Sequence, residues 1–200
     1  MRVILLSWEF PPRVVGQLAY YVNRLAVELV RKNVEVFVVT YNNSWVGFHQ
    51  GADGVKAYRI SDRVRPQINV LTWILSLNQE VERAASDVYY SVEHAVNLLD
   101  VHDWHFVPAA VTLKKAFGVP FVFSVDSIEY HRSGNTGGPL NVSISNIESL
   151  GFNEAAKIIV KSEWMKQELK RYHNTQEEKV HVVLPHSEEW VSKTLEVYEK

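Results

Sequence analysis

The sequence predicts an α/β fold: a doubly wound, mainly parallel sheet of Rossmann-like type with a C-terminal helix packed back on it. Three observations predict it. Short β-branched runs alternate with helical stretches along all 200 residues. Most of those runs lack apolar/polar alternation, as strands covered on both faces do. Strand–helix repetition then implies right-handed crossovers into one parallel sheet.

In chain order, residues 3–6, 34–40, 98–101, 120–125, 157–161 and 179–184 read as strands, with 55–60 a weaker seventh. Residues 18–32 form the first helix: Leu18, Val22, Leu25 and Leu29 recur at helical spacing, Arg24, Glu28 and Arg31 turn away, and Asn33 suits a left-handed cap. Residues 66–90, from Pro66 to Tyr90, are expected to contain a long mixed helical stretch, and 107–117 another helix with Pro108 in its first turn. Ser162 and Ser187, each followed by acidic residues, read as caps of two further helices. The stretch 133–139, rich in glycine, reads as a mobile loop. Residues 1–186 are read as one Rossmann domain and 187–200 as its terminal helix.

Composition removes several function classes. Twenty-one Lys+Arg against 23 Asp+Glu give −2, without a basic block, which excludes nucleic acid as a partner. No apolar run approaches the ~20 residues a membrane span needs, so no membrane partner is expected and a cytoplasmic location is. The absence of cysteine excludes disulfides, thiolate nucleophiles and cysteine metal sites.

Ligands of such sheets bind beyond the carboxyl ends of the strands, so the loops there hold the candidate residues. The first, Trp8-Glu9-Phe10-Pro11-Pro12-Arg13-Val14-Val15-Gly16-Gln17, brings Gly16 and Gln17 to a helix amino terminus. Free amides in that position suit a phosphate, with Arg13 adding charge; a tight turn stiffened by two prolines explains the same residues. His102, Asp103, Trp104 and His105 follow another strand. Two histidines around an aspartate fall short of the three or four ligands of a metal site, so no metal is expected, and polar contacts or a helix cap by Asp103 fit better. Asp126 and Glu129 follow a third strand, either as a carboxylate pair for acid/base work or as turn and cap chemistry. Ser124 and Ser127 lack a nucleophile-elbow context.

Together, the runs Glu9 to Leu18, His102-Asp103-Trp104, Ser124 to Tyr130, Val160 to Met165 and Glu178 to Val183 resemble the amino-terminal domain of retaining glycosyltransferases of the glycogen/starch synthase and glycosyltransferase-4 type. The resemblance covers roughly residues 1–185. It implies a GT-B half, the side that mainly holds the acceptor while a second domain holds the nucleotide sugar.

The departures shape the functional expectation. Gln17 stands where the family has a second glycine, Val14 where glycogen synthases have a lysine, and Asp126 where a histidine lies beside the reacting sugar. By this resemblance no catalytic residue and no cofactor is carried over. A carboxylate at Asp126 would repel a diphosphate. After His186 the chain does not continue into a donor domain; residues 187–200 resemble the family's crossover helix, with Trp190, Thr194, Val197 and Tyr198 on one face. The reading is therefore a natural chain that has lost the donor domain from its middle. It transfers no sugar alone and retains at most a saccharide site among Gly16, Gln17, His102, Asp103, Trp104, Asp126 and Glu129, with Trp104 offering a ring face and His102 and Asp103 hydrogen bonds. Two rivals are an acceptor-binding half completed by a separate donor-domain partner and a self-associating or interaction protein, a homo-oligomer for example.

Overall fold

The computed structural model describes residues 1–64, 67–134 and 137–199. Eight strands form one sheet in the order β3-β4-β2-β1-β5-β6-β7-β8: β1 (Arg2–Ser7), β2 (Glu35–Tyr41), β3 (Gly47–Gln50), β4 (Lys56–Ile60), β5 (Leu98–His102), β6 (Phe121–Val125), β7 (Lys157–Val160) and β8 (Val180–Val182). All neighbours pair in parallel except β3, which runs antiparallel to β4 along one edge. The order reverses at β1: β2 and β4 lie to one side, β5 through β8 to the other. The crevice therefore opens at the ends of β1 and β5, where Ser7 pairs with His102 and His102 with Ser124.

Helices cover both faces, and that is why the strand runs are continuously apolar. On one face Val3, Leu5, Val38, Val122 and Ile159 meet α1 (Gln17–Arg31) and α7 (Trp190–Glu199). On the other, Ile4, Leu6, Val39, Phe121, Phe123 and Ile158 meet α2 (Val70–Ser91), α3 (Val107–Phe117), α5 (Pro139–Glu154) and α6 (Glu163–His173). A short α4 (Glu129–Arg132) precedes α5.

Local chemistry sets the helix limits. Asn33, just past α1, takes φ 61°, and Gly118 after α3 takes φ 71°, both left-handed stops. Asn69 and Thr72 cap α2 reciprocally, so the helix starts at Val70; Pro66 lies outside the described residues. The Ser162 hydroxyl accepts the Met165 N–H at 3.1 Å, as its position predicts.

Four details differ from the sequence reading. The strand expected over 179–184 is only Val180–Val182, because residues 177–179 form a 3₁₀ turn. The extra edge strand β3 lies between the expected strands 34–40 and 55–60, where the sequence predicts none. The loop assigned to 133–139 ends where Pro139 opens the unforeseen helix α5, and Asn135 and Thr136 lie outside the described residues. Ser187 does not cap α7: its hydroxyl donates to the Leu184 carbonyl at 3.0 Å, and the helix begins at Trp190. None of the described helices is long and apolar enough to cross a membrane.

Candidate functional site

The first loop carries its own anion. Glu9 is buried, and its Oε2 accepts the N–H groups of Val15 at 2.6 Å and Gly16 at 2.7 Å, immediately before α1. Two amides expected to face a phosphate are thus bound by this carboxylate, which the amino end of the helix favours. Ser7 reinforces the turn by donating to the Glu9 carbonyl at 2.7 Å. Arg13 does not point at the glycine: it donates to the Trp8 carbonyl and stacks on the rings of Trp8 and Tyr41.

Beyond β5 the side chains turn inward. His102 is fully buried with its Nε2 3.3 Å from Asp100 Oδ2, and burial lowers its pKa against the raising influence of that aspartate. Asp103 sits at φ 58° and does not cap the following turn through its side chain; its Oδ1 accepts the Asp126 N–H at 2.9 Å. Burial pushes the Asp103 carboxyl up to about 6. Trp104 is also buried, with its ring stacked on His105, so the face expected to meet a sugar is covered by protein. His105 is sandwiched between Trp104 and Trp8, and burial pushes its pKa down to about 3. Among the described residues no three His, Cys, Asp or Glu are grouped to hold a metal ion.

Asp126 and Glu129 part company. Asp126 is exposed at the end of β6 and forms an ion pair with Lys161 from the end of β7, so its negative charge is locally balanced. Lys161 Nζ also lies 3.8 Å from the Tyr21 ring centroid. Glu129 is buried elsewhere: it accepts Arg132 at 3.2 Å and Asn141 at 2.6 Å, and its N–H donates to Glu148, which also takes Arg132 at 2.5 Å. That network ties α4 to α5. The two carboxylates line different cavities and do not form an acid/base pair.

What the strand ends do build is a cleft of about 360 Å³, lined by Gln17, Tyr20, Tyr21 and Arg24 of α1, Asp126, Lys161, and Pro185-His186 after β8. It unites Gln17 and Asp126 from the sequence reading, with Gly16 adjoining and His102 below Tyr21, ring centroids 6.1 Å apart. Lys161, Tyr21 and Arg24 were not anticipated. Lys161 had one local signal: it directly follows a strand and precedes a capping serine, which fixes it at the crevice. Tyr21 had none, because a tyrosine beside the apolar face of a helix reads as core, and the exposed Tyr20 reads as ordinary surface.

Beneath this cleft α7 docks on the sheet. Trp190, Val191, Thr194, Val197 and Tyr198 are buried, Trp190 packs on Tyr21 at 5.5 Å, and the Tyr198 hydroxyl donates to Asp100 Oδ2 at 2.5 Å.

Comparison with known proteins gives a consistent picture. Residues 17–186 match the model of the glycosyl transferase 4-like domain. The uncharacterized glycosyltransferase MJ1607 of Methanocaldococcus jannaschii is 33% identical over 192 residues, which are 92% of this chain and 45% of that protein. The glycogen synthase of Mycobacterium tuberculosis is 25% identical over 182 residues, 84% of this chain and 44% of that protein. The chain thus spans about half the length of the relatives it matches. Sucrose-phosphate synthase from Thermosynechococcus elongatus shares the fold with a TM-score of 0.73 at 13% identity, covering 91% of this chain and 47% of that one. A form of it denoted 27_220_406_426 has a TM-score of 0.70, also at 13% identity, and covers 100% of this chain and 96% of that one.

Proposed function

The chain belongs to the glycosyl transferase 4-like domain family, and from that membership we propose that it acts as an acceptor-side half, holding a saccharide in the cleft beside Gln17, Tyr20, Tyr21 and Lys161 and transferring no sugar by itself. The observation that carries this reading is the lining of that cleft. Tyrosine rings offer apolar faces, while Gln17, Arg24, Asp126 and Lys161 offer donors and acceptors of fixed direction, the mixture a sugar ring needs. The phosphate side of the same loop is poorly provided. Two of its amides already bind Glu9, and Gln17 borders the place where a diphosphate would approach.

The match to that form over 100% of this chain supports reading α7 as an integral part of the same fold. In this reading the helix completes the domain from below the cleft and plays no chemical part.

Isotope-labelled protein titrated with an oligosaccharide panel and with nucleotide sugars tests the proposal. Saccharides should move the amide signals of Gln17, Tyr20, Asp126 and Lys161 saturably. Nucleotide sugars should neither move them nor be turned over. Turnover of a common nucleotide sugar by the unmodified chain, or silence of these signals across the saccharide panel, would overturn it.

A second reading, that a separate donor-domain partner completes the enzyme, is favoured by the cleft rim. Val15, Tyr20, Trp164 and Leu184 are each more than half exposed around the strand ends, an apolar border of the kind partners cover. Adding a donor domain in trans should then yield turnover, and the double variant Gln17→Gly, Asp126→His should raise it. Association of the chain with itself in sedimentation, lost on Tyr20→Ser, would assign the rim to a homo-oligomer instead.

A further inference from the structure

A second cavity, of about 270 Å³, lies on the α1 side of the sheet between the first loop and the β3–β4 hairpin, and shares no lining residue with the cleft. Its wall holds an unusual cation. Arg59 of β4 is 93% buried by residue area, at 7% exposure. Its Nη2 donates to the Pro11 carbonyl at 2.9 Å, but its Nε and Nη1 find no acceptor among the described residues. Among the described residues no carboxylate pairs with it, and burial alone lowers its pKa. A guanidinium taken from water without a countercharge is costly, and a donor left unpaired adds to that cost.

The surroundings fit a ligand better than they fit a core. The Trp45 ring, half exposed on a loop held by the Asn42 side chain, lies 4.8 Å over the guanidinium and 4.4 Å from the His49 ring. His49 Nε2 is buried here without a hydrogen-bond partner among the described residues. Asn23 and Asp53 line the same space. Asp53 accepts the Val55 N–H at 3.1 Å and sets a negative group against a bare anion, while offering acceptors to hydroxyls.

We propose that this cavity binds a phosphorylated sugar, whose oxyanion pairs with Arg59 and His49 after the Trp45 ring swings aside, and whose hydroxyls meet Asn23 and Asp53. The charge-assisted bonds to the oxyanion supply the counterion that Arg59 lacks, and the displaced indole is free to cover the sugar ring. This site stands independently of the saccharide cleft.

The test uses the Trp45 indole N–H signal of the labelled full chain, identified by its loss in Trp45→Phe. Glucose 6-phosphate should shift it saturably, inorganic phosphate more weakly, and glucose should leave it unmoved. Arg59→Met should raise the dissociation constant about tenfold or more while the amide signals of Tyr20 and Lys161 stay in place. Should that variant misfold, Arg59→Lys serves, with a smaller loss. No saturable shift with either phosphate compound, equal shifts with glucose, or undiminished affinity in the Arg59 variants would overturn the proposal.

Discussion

The hydroxyl of Tyr198 donates to Oδ2 of Asp100 at 2.5 Å, across 98 residues of chain. Asp100 is completely buried in the middle of β5, and Ser124 donates to its other oxygen at 2.7 Å. Burial and the nearby Asp100 charge hold the Tyr198 phenol well above its ordinary pKa, so it remains a donor. The terminal helix therefore does more than cover apolar surface: it supplies a donor to a carboxylate that the sheet buries completely.

Tyr198→Phe should destabilise the protein by about 1–3 kcal/mol, because Asp100 Oδ2 loses its short bond to the phenol and keeps only the more distant His102 Nε2, at 3.3 Å, beside it. Urea unfolding at neutral pH measures it. Trp190→Ala, which empties a site only 3% exposed, should cost ~3–5 kcal/mol. Costs near zero for both would mean that α7 is detached in solution.

Stability should respond to pH through two neighbours with opposite signs. Asp103, raised from 3.8 to about 6, contributes stability that is complete below its unfolded value and lost as the pH rises through about 6. Asp103→Asn keeps an acceptor for the Asp126 N–H, so its stability relative to the parent should grow between about pH 4 and 7. His105, lowered from 6.5 to about 3, contributes stability present above its unfolded value and lost as the pH falls toward about 3. His105→Phe keeps the stack between Trp8 and Trp104 and should gain on the parent as the solution is acidified. Denaturant midpoints of the three proteins across that range check both signs.

Glu9→Gln should cost about 1–3 kcal/mol by weakening two charge-assisted bonds at the start of α1. The amide protons of Val15 and Gly16 should move upfield as their hydrogen bonds lengthen. Unmoved amides would mean that the loop does not depend on this carboxylate.

Gly151→Ala should destabilise by about 1–3 kcal/mol through overpacking. A Cβ there would meet Phe123 Cε1 at 2.6 Å and Val107 Cγ2 at 3.1 Å, where α5 lies against the sheet and α3. Chemical unfolding of the variant reads the cost directly.

The missed helix shows where the pattern hides. In α5 the buried positions are Ile144, Glu148, Gly151 and Phe152, a helical spacing in which a carboxylate and a glycine occupy two of four inward places. Glu148 is there to receive Arg132 and the Glu129 N–H, and Gly151 to admit Phe123, so tertiary needs erase the apolar stripe. The strands were legible for the opposite reason: Val3 through Leu6 and Val36 through Val39 are buried on both faces, and nothing but apolar side chains suits them. In the site, the loops were legible because a parallel sheet fixes where its strands end. The contacts within it were not, since Lys161 reaches Asp126 across 35 residues and Trp104 turns into the core rather than toward the crevice.

The outer margins of the sheet bear on how this chain behaves at high concentration. An eight-stranded sheet ends in two ladders of unpaired backbone groups, which can template a neighbouring molecule. Here one margin is β8, three residues long, and the other is β3, four residues long and reversed in direction. Neither offers the extended flat ribbon from which fibrils grow, so misassembly would have to begin from opened chains rather than from the native edge.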